Sequence, residues 1–315
     1  MKLYSAAQVA HSLPYPKLIE ALRIAFGQNI QTPLRTMHSI DRPTGGPPAT
    51  FGLMPAWLAG EVLATKLITI FPDNASQGLP TIHAQIIVFD GKTGVPTAVV
   101  DGTEVTRRRT AAASALAASY LAHRHAEELL VVGTGPQAVH QALAHATVRP
   151  IRRIAIWGRS MHKARAVADQ LTHGDAQFSV DAVDDLQAAV RSADIVSCVT
   201  SASEPLVLGA WLKPGALLDL VGSHWPERRE CDDEAARRSR IYVDTRSGAL
   251  AEAGDVLIPL RKGVIGPSDI IGDLHSLCRG ESVGRRTPEE ITFFKSVGSG
   301  LEDLTAAQLV ATSLE

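Results

Sequence analysis

The stretch that decides the fold is "LVVGTGPQAVHQALAHA", residues 130–146. A short apolar strand runs directly into a glycine turn, and the turn runs into a helical pattern. Gly133 permits a tight turn, and Gly135 lets the main chain approach a pyrophosphate closely. The N-terminus of the helix then supplies free N–H groups and a favourable dipole. The sequence therefore predicts a dinucleotide-binding turn, and the alternative is a glycine turn without a ligand. The predicted contacts are Gly133, Thr134, Gly135, Pro136, Gln137 and Ala138.

The pattern around this turn predicts a parallel, doubly wound sheet. From residue 128 onward, short apolar segments alternate with helical ones, and the strands read "ELLVVG", "RIAIWG", "DIVSCVT", "ALLDLVG" and "RIYVD". Such alternation is typical of an α/β domain with crossover helices.

The N-terminal third has a different pattern. Residues 16–26 have the spacing of an amphipathic helix, and "VLATKLITIF", "HAQIIVFD" and "VPTAVV" read as strands of an antiparallel or mixed sheet. A helix is predicted from Thr103, as its N-cap, to about residue 123. The tail from residue 288 reads as a strand or turn followed by a helix that could return to this first domain.

Composition excludes several classes of protein. The 315 residues are 45% hydrophobic, which suits two globular domains, and 31 basic residues against 33 acidic ones favour neither nucleic acid nor an anionic membrane as a partner. Cys198, Cys231 and Cys278 form no metal-type pair, so we expect reduced thiols and no metal site. No signal peptide or long apolar run is found, and a cytoplasmic protein is expected.

The end of the second strand bears on the choice of cofactor. NAD-binding domains carry an acid here, about 20 residues after the glycine turn, to hold the ribose hydroxyls. This strand ends "IWGRS" instead, and Arg159 with Ser160 would suit a 2'-phosphate. The sequence predicts a preference for NADPH, with NADH still possible. A solvated surface arginine is the alternative.

Three cations in the first domain predict an anion site. Arg109 falls on the apolar stripe of its helix, and Lys66 shares a strand face with apolar residues. A buried guanidinium needs an anionic partner. Together with Arg35, these side chains could converge on one small carboxylate. The alternatives are a structural Asp or Glu beside Arg109 and a sheet edge blunted by Lys66.

These residues, in this order, resemble the ornithine cyclodeaminase and mu-crystallin family. The likeness rests on "PLRTMH", "ATKLITIFPDN", "RRRTAAASALAA", "VVGTGPQA", "VGSHWPERRE" and "KSVGSGLED" and spans nearly the whole chain. The resemblance implies a homodimer in which a Rossmann domain, residues 116–287, is inserted in a discontinuous α+β domain. That second domain, residues 1–115 plus 288–315, would bind substrate and form the dimer contact.

The resemblance also implies roles for single residues. Arg35, Lys66 and Arg109 match the residues that grip the substrate carboxylate, and Val297 lies beside the substrate. The implied cofactor contacts outside the glycine turn and the "RS" pair are Thr81, Arg109, Thr200, Val221, Gly222, Ser223, Arg228 and Ser296.

One position departs from the cyclodeaminase pattern. Cyclodeaminases, and similarly the family's archaeal alanine dehydrogenases, carry an Asp where this chain has His224 in "VGSHWP". A histidine could donate a proton, and the chain looks more like the family's ketimine reductases. Their substrates are small cyclic imino acids: 1-pyrroline-2-carboxylate, which gives proline, and 1-piperideine-2-carboxylate, which gives pipecolate. Ring size stays open. His224 could also merely cap the turn.

Two other functions stay open at this point. An ornithine cyclodeaminase or alanine-type dehydrogenase using NAD would have to replace the missing acid from elsewhere. A non-catalytic NADPH-dependent binding protein would have no need of the three cations.

Overall fold

The computed structural model describes residues 1–43, 45–172 and 177–313. The chain forms two compact units, Met1–Thr110 with Ser299–Glu315, and Ala111–Gly298. The second unit is thus an insertion in the first. The units divide after residues 110 and 298, whereas the sequence predicted boundaries after residues 115 and 287.

The strands and helices follow one another along the chain in this way. The strands are β1 (Lys2–Tyr4), β2 (Thr36–Ile40), β3 (Ala49–Leu58), β4 (Val62–Ile70), β5 (Ile82–Asp90), β6 (Pro96–Asp101), β7 (Glu128–Val132), β8 (Arg153–Trp157), β9 (Ser179–Val183), β10 (Ile195–Cys198), β11 (Leu217–Leu220), β12 (Ser239–Val243), β13 (Ile270–Asp273) and β14 (Ile291–Lys295). The helices are α1 (Ala6–Ser12), α2 (Tyr15–Gly27), α3 (Gly102–Leu121), α4 (Gln137–Val148), α5 (Met161–Thr172), α6 (Leu186–Ser192), α7 (Asp233–Arg238), α8 (Arg246–Glu252), α9 (Gly254–Arg261), α10 (Leu274–Cys278) and α11 (Gly300–Ser313).

The first unit is built on a mixed six-stranded sheet in the order β1-β6-β5-β4-β3-β2. β1 pairs with β6 in parallel, and the other neighbours are antiparallel. The C-terminal helix α11 packs against β3, β4 and β5 and against α2. Residues 300–307 and Val310 are all buried, so this helix is an interior element and has no exposed face over its first two turns. The tail therefore completes the core of the first unit.

Two details of the first unit differ from the sequence analysis. β4 lies between β3 and β5, so the interpretation of Lys66 as an edge residue is wrong. Helix α3 begins at Gly102, and the Asp101 carboxylate accepts the Glu104 amide at 2.8 Å, which is an N-cap bond. The Thr103 hydroxyl instead accepts the Ala84 amide from β5. Asp101, at the end of a strand, is the capping residue.

The second unit is a parallel eight-stranded sheet in the order β13-β12-β14-β11-β10-β7-β8-β9. The doubly wound α/β architecture predicted from the alternation is confirmed. Two strands, β9 and β13, were not recognised in the sequence. β14 lies between β11 and β12, so the tail first completes this sheet and only then, as α11, the first unit. Because β14 belongs to this sheet, the second unit ends at residue 298 and not at residue 287.

Strand order locates the ligand crevice of such a sheet. From β7, the chain winds to β8 and β9 on one side and then to β10 and β11 on the other. The boundary between β7 and β10 is therefore the topological switch point, where open α/β sheets bind ligands at the carboxyl ends of their strands. Among the described residues, no helix is long and apolar enough to span a bilayer.

Candidate functional site

The glycine turn follows β7 at this switch point. Gly133 has φ +135°, and a Cβ there would lie 2.8 Å from the Val199 carbonyl oxygen, in the segment after β10. Its amide donates to the Trp157 carbonyl at 2.9 Å, at the end of β8. Only glycine combines this backbone conformation with so close a neighbour. The turn is consequently locked to the ends of both adjacent strands.

The space beside the turn suits a pyrophosphate. Apart from Gly135 itself and its two chain neighbours, no described residue has an atom within 4 Å of the place that a Cβ on Gly135 would occupy. The N-cap of α4 is Pro136, which makes no side-chain capping bond. The N–H groups in the first turn of α4 are therefore not capped by the N-cap side chain. An open glycine next to a helix N-terminus is a cradle for an anion. The turn at residues 133–138 could therefore hold the diphosphate of a dinucleotide.

Arg159 and Ser160 follow the next strand, β8. Arg159 is exposed, and the Ser160 hydroxyl accepts the Lys163 amide at 3.4 Å at the start of α5. No carboxylate occupies residues 157–160, so nothing in this segment repels a phosphate.

The loop "VGSH" follows β11 and passes close to the segment after β10. A Cβ on Gly222 would collide with the Thr200 carbonyl oxygen. Ser223 has φ 50°, and its hydroxyl donates to the Ala202 carbonyl at 2.6 Å. A non-glycine residue in this region is strained, and such strain persists only where neighbours hold it. Thr200, Val221, Gly222 and Ser223 are thus gathered at one edge of the sheet.

His224 and Arg228 lie further along this loop and are exposed. The rings of His224 and Trp225 are 5.9 Å apart and tilted by 30°. The Arg228 amide donates to the Trp225 carbonyl at 3.1 Å.

A buried charged triad supports these loops, and sequence reasoning missed it. The Lys295 ammonium, at the end of β14, lies 3.0 Å from the Asp255 carboxylate and donates to the Gly222 carbonyl. Glu230 accepts the amide and the hydroxyl of Thr200 at 2.7 and 2.8 Å. Asp255 accepts the Glu230 amide at 2.7 Å. The triad therefore joins the two loops that follow β10 and β11.

Burial and neighbouring charges shift the pKa values of Glu230 and Lys295. Burial raises the pKa of Glu230 to about 7, although the Lys295 charge opposes the shift. For Lys295, burial would lower the pKa, but Asp255 and Glu230 together outweigh it, and the pKa of the ammonium is raised. Lys295 is consequently held in its charged form. The sequence signal was a lysine within an otherwise apolar strand, "ITFFK".

The "KSVG" segment after β14 is held by another acid. Asp244 accepts the amides of Val297 and Gly298 at 2.7 and 2.6 Å, and the Ser296 amide donates to the Leu220 carbonyl at 3.0 Å. Ser296 and Val297 are both buried in the second unit.

In the first unit, Lys66 and Arg109 meet two acids of α11. The Lys66 ammonium lies 2.8 Å from the Asp303 carboxylate. The Arg109 guanidinium lies 3.1 Å from Asp303 and 2.8 Å from Glu302. All four side chains are almost completely buried. The structural alternative for Arg109 was an ion pair with an Asp or Glu. Glu302 and Asp303, from the far end of the chain, are such partners.

Arg35 belongs to the same cluster. It is half-buried, and its charge contributes to lowering the pKa of Lys66. Burial is the main cause of that shift, to about 8, and Asp303 partly opposes it. Lys66 and Arg109 are thus paired with two buried acids, and Arg35 adds a further positive charge that acts on Lys66. Thr81 lies in the turn before β5, where its carbonyl accepts the Phe71 amide at 2.9 Å.

The fold and these clusters define an α/β protein with a dinucleotide-type crevice in one unit and a buried cationic cluster in the other. The chain belongs to the ornithine cyclodeaminase/mu-crystallin family, whose model matches residues 3–315.

Known proteins resemble the chain over nearly its full length. A Delta(1)-pyrroline-2-carboxylate reductase from Colwellia psychrerythraea is 38% identical over 317 residues, covering 100% of this chain and 99% of the relative. The ketimine reductase mu-crystallin of Rattus norvegicus is 35% identical, covering 90% and 85%. The solved structure of the Thermococcus litoralis Delta(1)-pyrroline-2-carboxylate reductase, in complex with NADH and L-proline, has a TM-score of 0.93 and 32% identity, covering 99% and 97%.

Substitution of Lys295 tests the support of the loops. Lys295→Met leaves two buried carboxyl groups without their cation, and we expect a loss of about 3–5 kcal/mol in the free energy of unfolding. Lys262→Met removes an exposed partner of Asp233 and should cost about 0–1 kcal/mol. Urea unfolding of both variants measures the difference. Equal losses would show that the triad does not stabilise the unit.

Proposed function

We propose that the protein is an NAD(P)H-dependent reductase of cyclic imino acids. It would reduce the C=N bond of 1-pyrroline-2-carboxylate to give L-proline, or of 1-piperideine-2-carboxylate to give L-pipecolate. The observation that carries the proposal is the whole-length likeness to proteins named as Delta(1)-pyrroline-2-carboxylate reductase.

The cationic cluster of the first unit supports this choice of substrate. Lys66, Arg109 and Arg35 bring three positive charges to one region of the first unit, which would attract a substrate carboxylate. Because Lys66 and Arg109 are buried and fixed by Asp303, they would hold that carboxylate with little loss of side-chain entropy. Fixing the carboxylate also fixes the adjacent imine carbon, and such orientation contributes several kcal/mol to catalysis, on the order of 7–11 at best.

The cofactor supplies the hydride, and the residues of the chain position the substrate and manage the proton. The imine nitrogen has to be protonated for its carbon to accept a hydride. We assign that proton to His224, or to a water that it orients, because an imidazole titrates near neutral pH. The strained Ser223 and the triad below it would fix the start of the loop that carries His224.

The first unit would also form a homodimer. Its edge strand β2 is exposed along its whole length, and it presents Met37 and Ile40, with Leu63 on β4 and Ile82 on β5 also exposed. Exposed apolar side chains on an unpaired edge and a sheet face are typical of a protein interface.

Initial rates test the proposed reaction. With 1-pyrroline-2-carboxylate or 1-piperideine-2-carboxylate, we expect rapid oxidation of the reduced cofactor, measured by its loss of absorbance. Ammonia release from ornithine should be absent, because this chain has His224 at the position where cyclodeaminases carry an Asp. Ammonia with no imine reduction would establish a cyclodeaminase instead. Tight NADPH binding without turnover of either imine would favour a binding protein.

The pH dependence of substrate binding tests Lys66. Below pH 8 the Lys66 ammonium is charged and can attract the carboxylate; above its pKa of about 8 this positive charge is lost. We expect KM for the imino acid to rise by up to about tenfold per pH unit on this side, while KM for NADPH stays constant. Because Asp303 raises the pKa of Lys66, Asp303→Asn should move the rise to lower pH.

Two variants complete this test. Lys66→Met should raise KM for the imino acid at all pH values and remove the pH-dependent rise, with NADPH affinity retained. Glu61→Gln, an exposed change in the same unit, should behave like the unaltered protein. A rise that persists in Lys66→Met, or that does not move in Asp303→Asn, would refute the role of Lys66.

Arg159 is proposed to select NADPH, although the relative from Thermococcus litoralis was solved with NADH. Arg159→Gln should raise KM for NADPH about ten- to hundredfold and leave KM for NADH nearly unchanged, because a charge-assisted contact to the 2'-phosphate is lost. Arg153→Gln, at the other end of β8, is the matched control. An equal effect on both cofactors would contradict the assignment.

A further inference from the structure

A cavity of about 440 Å³ lies in the second unit, away from the residues assigned above. Its walls come from the end of α3, from Arg149 before β8 and from residues 285–288 before β14. These segments all precede parallel strands, whereas the glycine turn follows one. The cavity therefore lies at the amino-terminal edge of the sheet, and a five-residue strand separates the two edges by roughly 15 Å.

The lining of this cavity is cationic. It includes His123, Arg124, His125, Arg149, Arg285 and Arg286, and none of the described residues that line it carries a carboxylate. Four guanidinium groups with no acid among the described lining residues give this cavity a positive potential that attracts anions.

Two of the arginines are bound to neutral groups. Arg149 donates to the carbonyls of Ala118, Ser119 and Ala122 at 2.6, 2.9 and 3.0 Å. Arg285 donates to the Leu121 carbonyl at 2.8 Å. These bonds satisfy carbonyl groups at the C-terminal end of α3. The helix dipole there offsets only about half of one positive charge.

The charges on these two arginines are therefore compensated only in part. Burial, followed by the charges of Arg124 and Arg285, lowers the pKa of Arg149. The charge of Glu290 acts on Arg285 and opposes the effect of burial, and the same carboxylate accepts the Arg286 amide and lies 3.4 Å from Arg240. One shared carboxylate does not balance four guanidinium groups.

Capping of α3 accounts for Arg149 and Arg285 but not for the other pair. Arg124 and Arg286 are exposed at the rim, and within the described part of the chain neither side chain has a recorded ion pair. Arginine forks bind phosphate oxygens in two parallel bonds, and the exposed forks of Arg124 and Arg286 suit such contacts, while Arg149 and Arg285 add positive charge to the same cavity. We propose that this cavity binds a polyphosphate anion, the diphosphate or triphosphate group of a small molecule, at a site separate from the dinucleotide crevice.

Calorimetric titration with inorganic pyrophosphate tests the site. The protein is first saturated with NADPH, so that the glycine turn is already filled. We expect one pyrophosphate to bind per chain at about 0.15 M ionic strength without displacing NADPH. The double variant Arg124→Gln with Arg286→Gln should weaken binding at least about tenfold. Both changes are at exposed positions, and a thermal melt checks that the fold is kept.

The controls separate a site from diffuse attraction. Arg261→Gln changes an exposed arginine of the same unit outside the cavity and should alter affinity less than about twofold. Citrate, a polycarboxylate, should bind more weakly than pyrophosphate. No saturable binding, displacement of NADPH, equal losses in the double variant and Arg261→Gln, or equal binding of citrate would each overturn the proposal.

Discussion

A buried ion cluster ties the last helix of the chain to its first sheet, and the rest of the architecture depends on it. Lys66 and Asp303 are 237 residues apart in sequence, yet they pair at 2.8 Å with almost no exposure. A buried charge left without its partner costs several kcal/mol, about 3–5 by the usual measure. The first unit is therefore stable only when α11 has returned to it. This requirement explains how an eight-stranded sheet can be inserted between residues 110 and 299 while the first unit remains one body.

The second unit uses the same physical device in another place. Lys295, Asp255 and Glu230 form a buried triad, and its hydrogen bonds end on Gly222 and Thr200. In each unit, buried charges hold in place the residues to which binding or catalysis is assigned. In the first unit, Lys66 and Arg109 are each paired with an acid of α11, and the charge of Arg35 acts on Lys66. In the triad two acids face one cation. The raised pKa of Glu230 shows that its negative charge is unfavourable there, because the group is buried and lies near Asp255.

The parallel sheet gives the second unit two different edges. At the carboxyl ends, the turn of Gly133 and the open space at Gly135 suit the diphosphate of a dinucleotide. At the amino ends, arginines collect around the carboxyl end of α3, where carbonyl groups attract them. Arg149 and Arg285 are bound to neutral carbonyls and add positive charge to the cavity, while Arg124 and Arg286 are exposed at its rim. The same strand direction thus accounts for the dinucleotide crevice and for the proposed polyphosphate site.

The sequence by itself determined the features that depend on neighbours in the chain. Gly133, the alternation of strands and helices, the missing acid before Arg159 and the burial of Arg109 all follow from backbone geometry, periodicity and residue type. Only the tertiary structure decided which groups meet across long separations. It pairs Arg109 with Glu302 and Asp303, places Lys295 under Gly222, and inserts β14 between β11 and β12. Local sequence carries no signal for such partners, because their energies arise from burial and charge that exist only once the chain has folded.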